Sequence, residues 1–301
     1  MALVNVALSL AQSGSRVLMV DFDLEAPGLE TFHLLKAPGD APGVVDFVSS
    51  YLATNSTPDV RDYVFERSEQ VGGSGRVWIM PAGRRDDAYG SRLNAIDWAR
   101  LYSERDGYLM FEDLRAQWRS AFAPDYVFVD SRTGHTDVGG ICTRHLPDAV
   151  VCLFFPNEQN LLGLTEVVRD IREEGCTGRR KSPIALHFVT SNVPDLDDED
   201  HILADRMETF RTALGYDKLS ATIHHYPSLA LLNQAVFTVE RPRSRLAAEY
   251  SLLRHEIVRS NSEDLGGALE YLRMLQAAFE DDEGGTFIAL GRIEERLREI
   301  G

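Results

Sequence analysis

The sequence predicts an α/β fold: a doubly wound, mostly parallel sheet with helices on both faces. Three observations carry that prediction. Short apolar runs with β-branched residues alternate with helical patterns at least five times along the chain. The runs read as strands buried on both faces, as parallel strands are. Polar residues suited to a ligand stand at the C-terminal ends of four of them, the edge at which open α/β sheets bind.

Residues 2–12 read as a helix, with Leu3, Val4, Ala7, Leu8 and Ala11 on one face and Ser13-Gly14 as its stop. Residues 17–22 read as a buried strand that ends in Asp21 and Asp23. Residues 25–43 form a Pro/Gly-rich loop, and 44–52 a short helix. The polar stretch 53–75 ends in Gly-Gly-Ser-Gly and reads as a surface excursion. A second strand at 77–80 is closed by Pro81-Ala82-Gly83, and helices follow at 94–105 and 108–122. Leu109, Phe111, Leu114, Trp118 and Phe122 mark the apolar side of the latter. The run 126–129 ends at Asp130. A strand at 149–155 leads into a Pro-led helix that continues to residue 173, and a strand at 184–190 ends at Ser191-Asn192. The acidic residues 195–200 begin a helix that reaches 214. A strand at 221–226, a helix at 244–259 and two helices in 262–301 complete the chain. The simplest partition is one domain, 1–260, with a helical C-terminal extension, 261–301.

Composition narrows the function. The 301 residues carry 47 acidic against 31 basic side chains, a net charge of -16. That argues against broad, salt-driven binding to nucleic acid or to an anionic membrane. Glu-Arg-Pro-Arg-Ser-Arg at 240–245 is the best local basic patch. No apolar run approaches the roughly 20 residues of a membrane helix. Three scattered cysteines, Cys142, Cys152 and Cys176, form neither a disulfide framework nor a cysteine zinc site and fit a reducing cytoplasm. The last helix has Leu290, Ile293, Leu297 and Ile300 on one face, with balanced charge opposite, which favours packing over membrane targeting. His224-His225 has no acidic or cysteine partner at ligand spacing and reads as structural.

The paired carboxylates carry the chemistry. Alternation along a strand sends Asp21 and Asp23 to the same side of the sheet's C-terminal edge. Two carboxylates there suit Mg²⁺ and water chemistry on a phosphate. A solvated strand end, where Asp forms turns, is the bland alternative. Asp130 after Tyr-Val-Phe-Val is a second acidic strand end, and Asn157/Gln159 and Asn192 are polar residues near two more.

In order along the chain, these motifs resemble the ParA/MinD family of ATPases. The stretch from Asn5 through RVLMVDFDLEAPGLE resembles that family's phosphate-loop helix and the D-x-D strand after it. YVFVDSRTG resembles its Walker B strand, PNEQNLLGL the helix that follows, and VTSNVPD the adenine-side strand end. HHYPSLALLNQAVFTVERPRSRLAAEYSLL resembles its C-terminal pattern. The resemblance implies ATP and Mg²⁺ as cofactors, with Asp23 activating the attacking water and Asp21 and Asp130 serving the Mg²⁺ shell. Asn192 and the segment around Pro227 would contact adenine, and Arg132 would touch a phosphate or a partner. It further implies a nucleotide-dependent homodimer that binds a protein partner.

The pattern departs from the family at its start. No GxxxxGK[ST] motif occurs anywhere, and Gly-Gly-Ser-Gly-Arg at 72–76 lies before a strand rather than between strand and helix. The family register places Met1 just past the phosphate loop, so the loop and the strand before it are expected to be missing. The alternative function is a non-hydrolysing scaffold with a degenerate site. A related tyrosine kinase would carry a Tyr-rich tail, and no Tyr follows Tyr271.

Overall fold

The computed structural model describes residues 1–131, 137–175, 183–195, 201–227, 229 and 234–261, and seven strands among them pair into two half-sheets. The chain opens with helix α1 (Ala2–Gln12) and strand β1 (Arg16–Phe22), followed by α2 (Val44–Thr54), β2 (Phe65–Glu66), α3 (Ser68–Val71) and β3 (Arg76–Met80). Next come α4 (Tyr89–Asn94), α5 (Trp98–Glu104), α6 (Gly107–Phe122), β4 (Tyr126–Ser131) and α7 (Asp137–Gly140), which runs into a π turn at Ile141–His145. The second half holds β5 (Ala149–Phe154), α8 (Glu158–Gly175), β6 (Ala185–Val193), α9 (Ile202–Leu214), β7 (Ala221–His224), α10 (Phe237–Glu240) and α11 (Arg245–Ser260).

One half-sheet runs β2-β3-β1-β4 and the other β5-β6-β7. All pairings are parallel except β2 with β3. The mostly parallel, helix-covered sheet is the architecture that the alternating runs predict. The excursion at 53–75 does more than predicted, because it contributes β2 as an antiparallel edge.

Three apolar clusters hold the layers together. On one face α1, α10 and α11 cover residues of both half-sheets, from Val17 and Tyr126 to Val189 and Ile223. On the other face α2, α5 and α6 cover the four-stranded half through Phe47, Leu101, Phe111 and Trp118. Helices α8 and α9 cover the three-stranded half through Val168 and Phe210. Helix α1 is buried beyond the single face its pattern suggests: Val6 and Leu10 are covered as well, whereas Leu3 is only partly so. Helices on two sides of α1 explain this.

Two predicted boundaries change for identifiable reasons. The helix predicted at 94–105 starts later, as α5 after Asp97, and a separate helix, α4, ends at Asn94. At Asp97 the backbone is extended and the side chain accepts the Arg100 N–H at 2.9 Å, so Asp97 starts a new helix. The strand at 221–226 ends at His224. The acidic helix start at 196–200, Arg132 and the extension 262–301 lie outside the described residues.

The strand directions agree across the two halves. At the end of α11, Asn261 Nδ2 donates to the Asp125 carbonyl just before β4 (3.4 Å), and Ser260 Oγ meets His187 Nε2 near the start of β6 (3.0 Å). The C-terminal tips of β4 and β6 therefore share the opposite edge. No strand among the described residues pairs with the outer edge of β4 or of β5.

Close approach demands glycine at Gly43. A Cβ there would lie 1.9 Å from the Pro81 carbonyl oxygen, which accepts the Val44 N–H at 2.9 Å. Gly43→Ala is expected to cost about 1–3 kcal/mol by forcing α2 off the end of β3, as read by urea unfolding.

His187 is buried against Ser220 Oγ (3.2 Å) and Ser260 Oγ. Burial lowers its pKa from 6.5, Glu256 opposes that shift, and Arg259 and Lys218 reinforce it. The unfolded chain therefore takes up a proton that the folded chain refuses. Stability should be full above pH 6.5 and should fall as the pH drops below it. His187→Gln should flatten that acid limb in urea titrations at about pH 7.5 and about pH 5.5.

Candidate functional site

The β1–β4 ladder brings the predicted carboxylates together. Asp21 is the register partner of Asp130. Residues paired across neighbouring strands project to the same face, so the two side chains lie side by side. Asp23 follows directly after the end of β1, and its Oδ1 accepts the Ala26 N–H at 3.4 Å in a short turn. Asp21, Asp23 and Asp130 thus occupy one corner of the C-terminal edge. The nitrogen of Met1, at the start of α1, lies near the same corner and interacts with the charge of Asp130.

Asp21 is fully buried. Its Oδ2 accepts the Leu29 N–H at 3.0 Å, and its Oδ1 has no hydrogen-bond partner. A carboxylate held out of water with one oxygen orphaned is destabilised as an anion. Its pKa is accordingly pushed up to about 7, chiefly by burial and further by the charges of Asp130 and Asp23, against the Leu29 N–H. Burial also raises Asp130, with the Met1 nitrogen opposing and Asp23 adding to the shift. An orphaned buried oxygen beside two raised carboxyls fits a cation chemically. Among the described residues no group of three or more His, Cys, Asp or Glu side chains could hold a metal by itself. That donor set suits Mg²⁺, which keeps several waters and takes one or two carboxylates plus phosphate oxygens.

The loop carrying Asp23 is tied from outside the predicted motif. Tyr89 Oη donates to the Leu24 carbonyl at 2.7 Å, and the Arg85 guanidinium lies 4.7 Å from the Tyr89 ring centre. Arg92 pairs with Asp46 (3.4 Å) and Asp86 (2.9 Å), which fixes the segment bearing Arg85 and Tyr89. Nothing in the spacing of Tyr89 points to this, because its partner is a backbone carbonyl 65 residues earlier.

The second half-sheet carries the other predicted residues. Asn192, at the end of β6, has a left-handed backbone with φ of 61°, and its Oδ1 accepts from His225 Nδ1 at 2.7 Å. Pro227 follows just beyond β7. These two residues share the carboxylates' edge but stand on the other half-sheet. His224 turns the other way, into Glu249, whose oxygens accept from the His224 ring (2.7 Å) and backbone N–H (3.0 Å). The structural reading of the His pair stands, with one correction: the fold supplies the acidic partner that the local sequence lacks. Arg245 of the basic patch pairs with Glu249 and Asp195. Asn157 caps α8, accepting the Asn160 N–H at 2.8 Å, and Gln159 is exposed. Asn5 is buried, and its Oδ1 accepts the Thr238 N–H at 3.0 Å, which ties α1 to α10.

No protein-family model and no curated protein matches the sequence. Solved structures do match. A Cyanothece McdA variant in complex with ATP is 15% identical with a TM-score of 0.59, over 85% of this chain and 90% of that one. Apo McdA gives the same identity and score over 85% and 93%. The MinD cell division protein of Aquifex aeolicus is 11% identical with a TM-score of 0.55, over 85% and 90%. The chain has the ParA/MinD-type ATPase fold. No helix among the described residues is long and apolar enough to cross a membrane.

A carboxyl raised to about 7 holds its proton in the folded state while the unfolded chain loses it near 3.8. Stability should therefore fall as the pH rises from about 4 to about 7 and stay low above that. Asp21→Asn keeps an acceptor for Leu29 and removes the charge. In chelator-treated protein at about pH 8 it should gain about 1–4 kcal/mol over the wild type, as measured by urea unfolding.

Proposed function

We propose that this domain is an ATP-driven switch of the ParA/MinD type, in which nucleotide binding and hydrolysis control dimerisation and the capture of a protein partner. One observation carries the reading: Asp21 and Asp130 stand in register at the strand tips beside the start of a helix, with Asp21 fully buried and one of its oxygens orphaned. The fold supports it, and one solved protein of that fold is a complex with ATP.

In this reading Asp21 and Asp130 would hold Mg²⁺. The ion, when bound, neutralises charge on the phosphates. Asp23 is less buried than Asp21 and orients the attacking water. Asn192, its carboxamide held by His225, contacts adenine together with the segment at Pro227. The start of α1 offers its first-turn N–H groups to an anion. A scaffold that does not hydrolyse is the second reading.

The two readings separate on one experiment. Mg-ATP should raise the thermal midpoint and shift the protein from monomer to dimer in light scattering, and Asp130→Ala should abolish both effects. Asp23→Ala should keep the dimer and lose at least about 100-fold in phosphate release. Absence of any nucleotide-dependent shift would leave the scaffold.

A further inference from the structure

The strand that borders β1 on the side away from Asp130 ends in a loop rich in arginine. Strand β3 runs parallel to β1, with Met80 the register partner of Val20. Residues 81–88 therefore leave the sheet at the edge that carries Asp21 and Asp23, across β1 from Asp130. The backbone fixes where this loop begins. The Pro81 and Ala82 carbonyls accept the Val44 and Val45 N–H groups, both at 2.9 Å, and the Arg84 N–H donates to Asp46 Oδ2 at 2.8 Å. Asp46 and Asp86 both pair with Arg92. Arg85 stands apart from that network. It is exposed, pairs with no carboxylate among the described residues, and rests over the Tyr89 ring, 4.7 Å from its centre.

Tyr89 places that guanidinium beside the acidic corner. Its hydroxyl donates to the carbonyl of Leu24, the residue after Asp23. Burial pushes the hydroxyl up to about 12, with Arg85 opposing the shift and the charges of Asp21 and Asp46 adding to it. The hydroxyl therefore stays a donor at neutral pH, within electrostatic reach of both Asp21 and Arg85. A guanidinium over a partly exposed ring is held weakly, and a bidentate pair with a phosphate is the stronger contact. Arg85 can leave the ring for a phosphate without stripping any carboxylate of its partner. The corner is a built site on independent grounds, because fully buried Asp21 holds one oxygen without a hydrogen bond.

We infer that Arg85 meets the terminal phosphate of a nucleotide at this corner and stabilises the charge that builds on it as the phosphoryl group passes to water. The inference rests on the nucleotide reading given above. In that step the bond from the water oxygen to the γ-phosphorus forms. The bond to the ADP oxygen breaks, its electron pair goes to ADP, and the product dihydrogen phosphate carries both of the water's protons. Negative charge spreads over the three equatorial oxygens of the transferring group. An arginine aimed there is worth about 10³–10⁵ in rate in nucleotide hydrolases that use one. The carboxylates of β1 and β4 serve the metal from one side, and Arg85 reaches the phosphate from the β3 side.

Thermal unfolding with Mg-ADP, alone and with fluoroaluminate as a mimic of the transferring phosphoryl group, tests this beside Mg-ATP hydrolysis. In the wild type, fluoroaluminate should add to the midpoint shift that Mg-ADP gives. Arg85→Ala should keep the Mg-ADP shift, lose the added shift, and lower kcat at least about 100-fold with KM changed less than about threefold. Arg85→Lys keeps the charge without the planar fork and should recover about a tenth or less of kcat. Arg84→Ala removes the same charge one residue away and should stay within about twofold of the wild type. Full kcat and a full added shift in Arg85→Ala would overturn the inference alone. Equal losses in Arg84→Ala would do so too, since bulk charge rather than a placed guanidinium would then be at work. A lost Mg-ADP shift in Arg85→Ala would make Arg85 part of ground-state binding and overturn its role in the transition state. A wild type that binds Mg-ADP without the added shift or turnover would be the scaffold, which keeps the site and overturns the inference. No shift with any of these probes in the wild type would end the nucleotide reading, and this inference with it.

Discussion

The pairing of β1 with β4 is the constraint on which the rest of the molecule depends. Six consecutive residue pairs, from Val17 with Tyr126 to Phe22 with Ser131, set Asp21 against Asp130. A slip of one residue would move Val17 and Met19 from one apolar cluster to the other face and separate the carboxylates. The lower end of the ladder is clamped as well. The Arg16 backbone N–H and guanidinium both donate to the Asp125 carboxylate at 2.7 Å, and the Asp125 N–H returns a bond to the Arg16 carbonyl at 2.8 Å. The ion pair is about half exposed and contributes little as a charge interaction. Its value lies in register, because both ends of the bond are backbone-anchored.

From that register follow the tension at the tip and its relief. Burying Asp21 beside two other carboxyls works against the folded state, and local hydrogen bonding through the Leu29 N–H offsets only part of it. A site that is costly to keep in the absence of a cation is one whose free energy a cation can change. Acidic strand tips of this kind are where metal and phosphate chemistry is built in α/β proteins, and stability is given up there for it.

The acidic corner is bounded by β1, β4 and the start of α1. Asn192 and Pro227 lie on the tips of the second half-sheet. What joins the two halves in the described residues is the helical layer, through Asn5 to Thr238 at one end and Asn261 to Asp125 at the other.

Much of this was legible before any coordinates. The strand runs, the amphipathic helices and the acidic strand ends follow from local pattern, because burial on two faces demands unbroken apolar runs and an edge site demands polar tips. Tertiary structure decided the rest, since each deciding contact is distant in sequence. Tyr89 reaches back to Leu24, Glu249 supplies the partner His224 lacks, and Asp97 caps a helix where the pattern reads straight through. The sequence alone determined which residues could form the acidic corner and that they belong on parallel strand ends. Only the folded chain decided that Asp21 and Asp130 are register partners, that Asn192 stands on a separate half-sheet, and that among the described residues β4 pairs with β1 and β5 with β6. Strand order is a long-range property, and no local pattern encodes which edges find a partner.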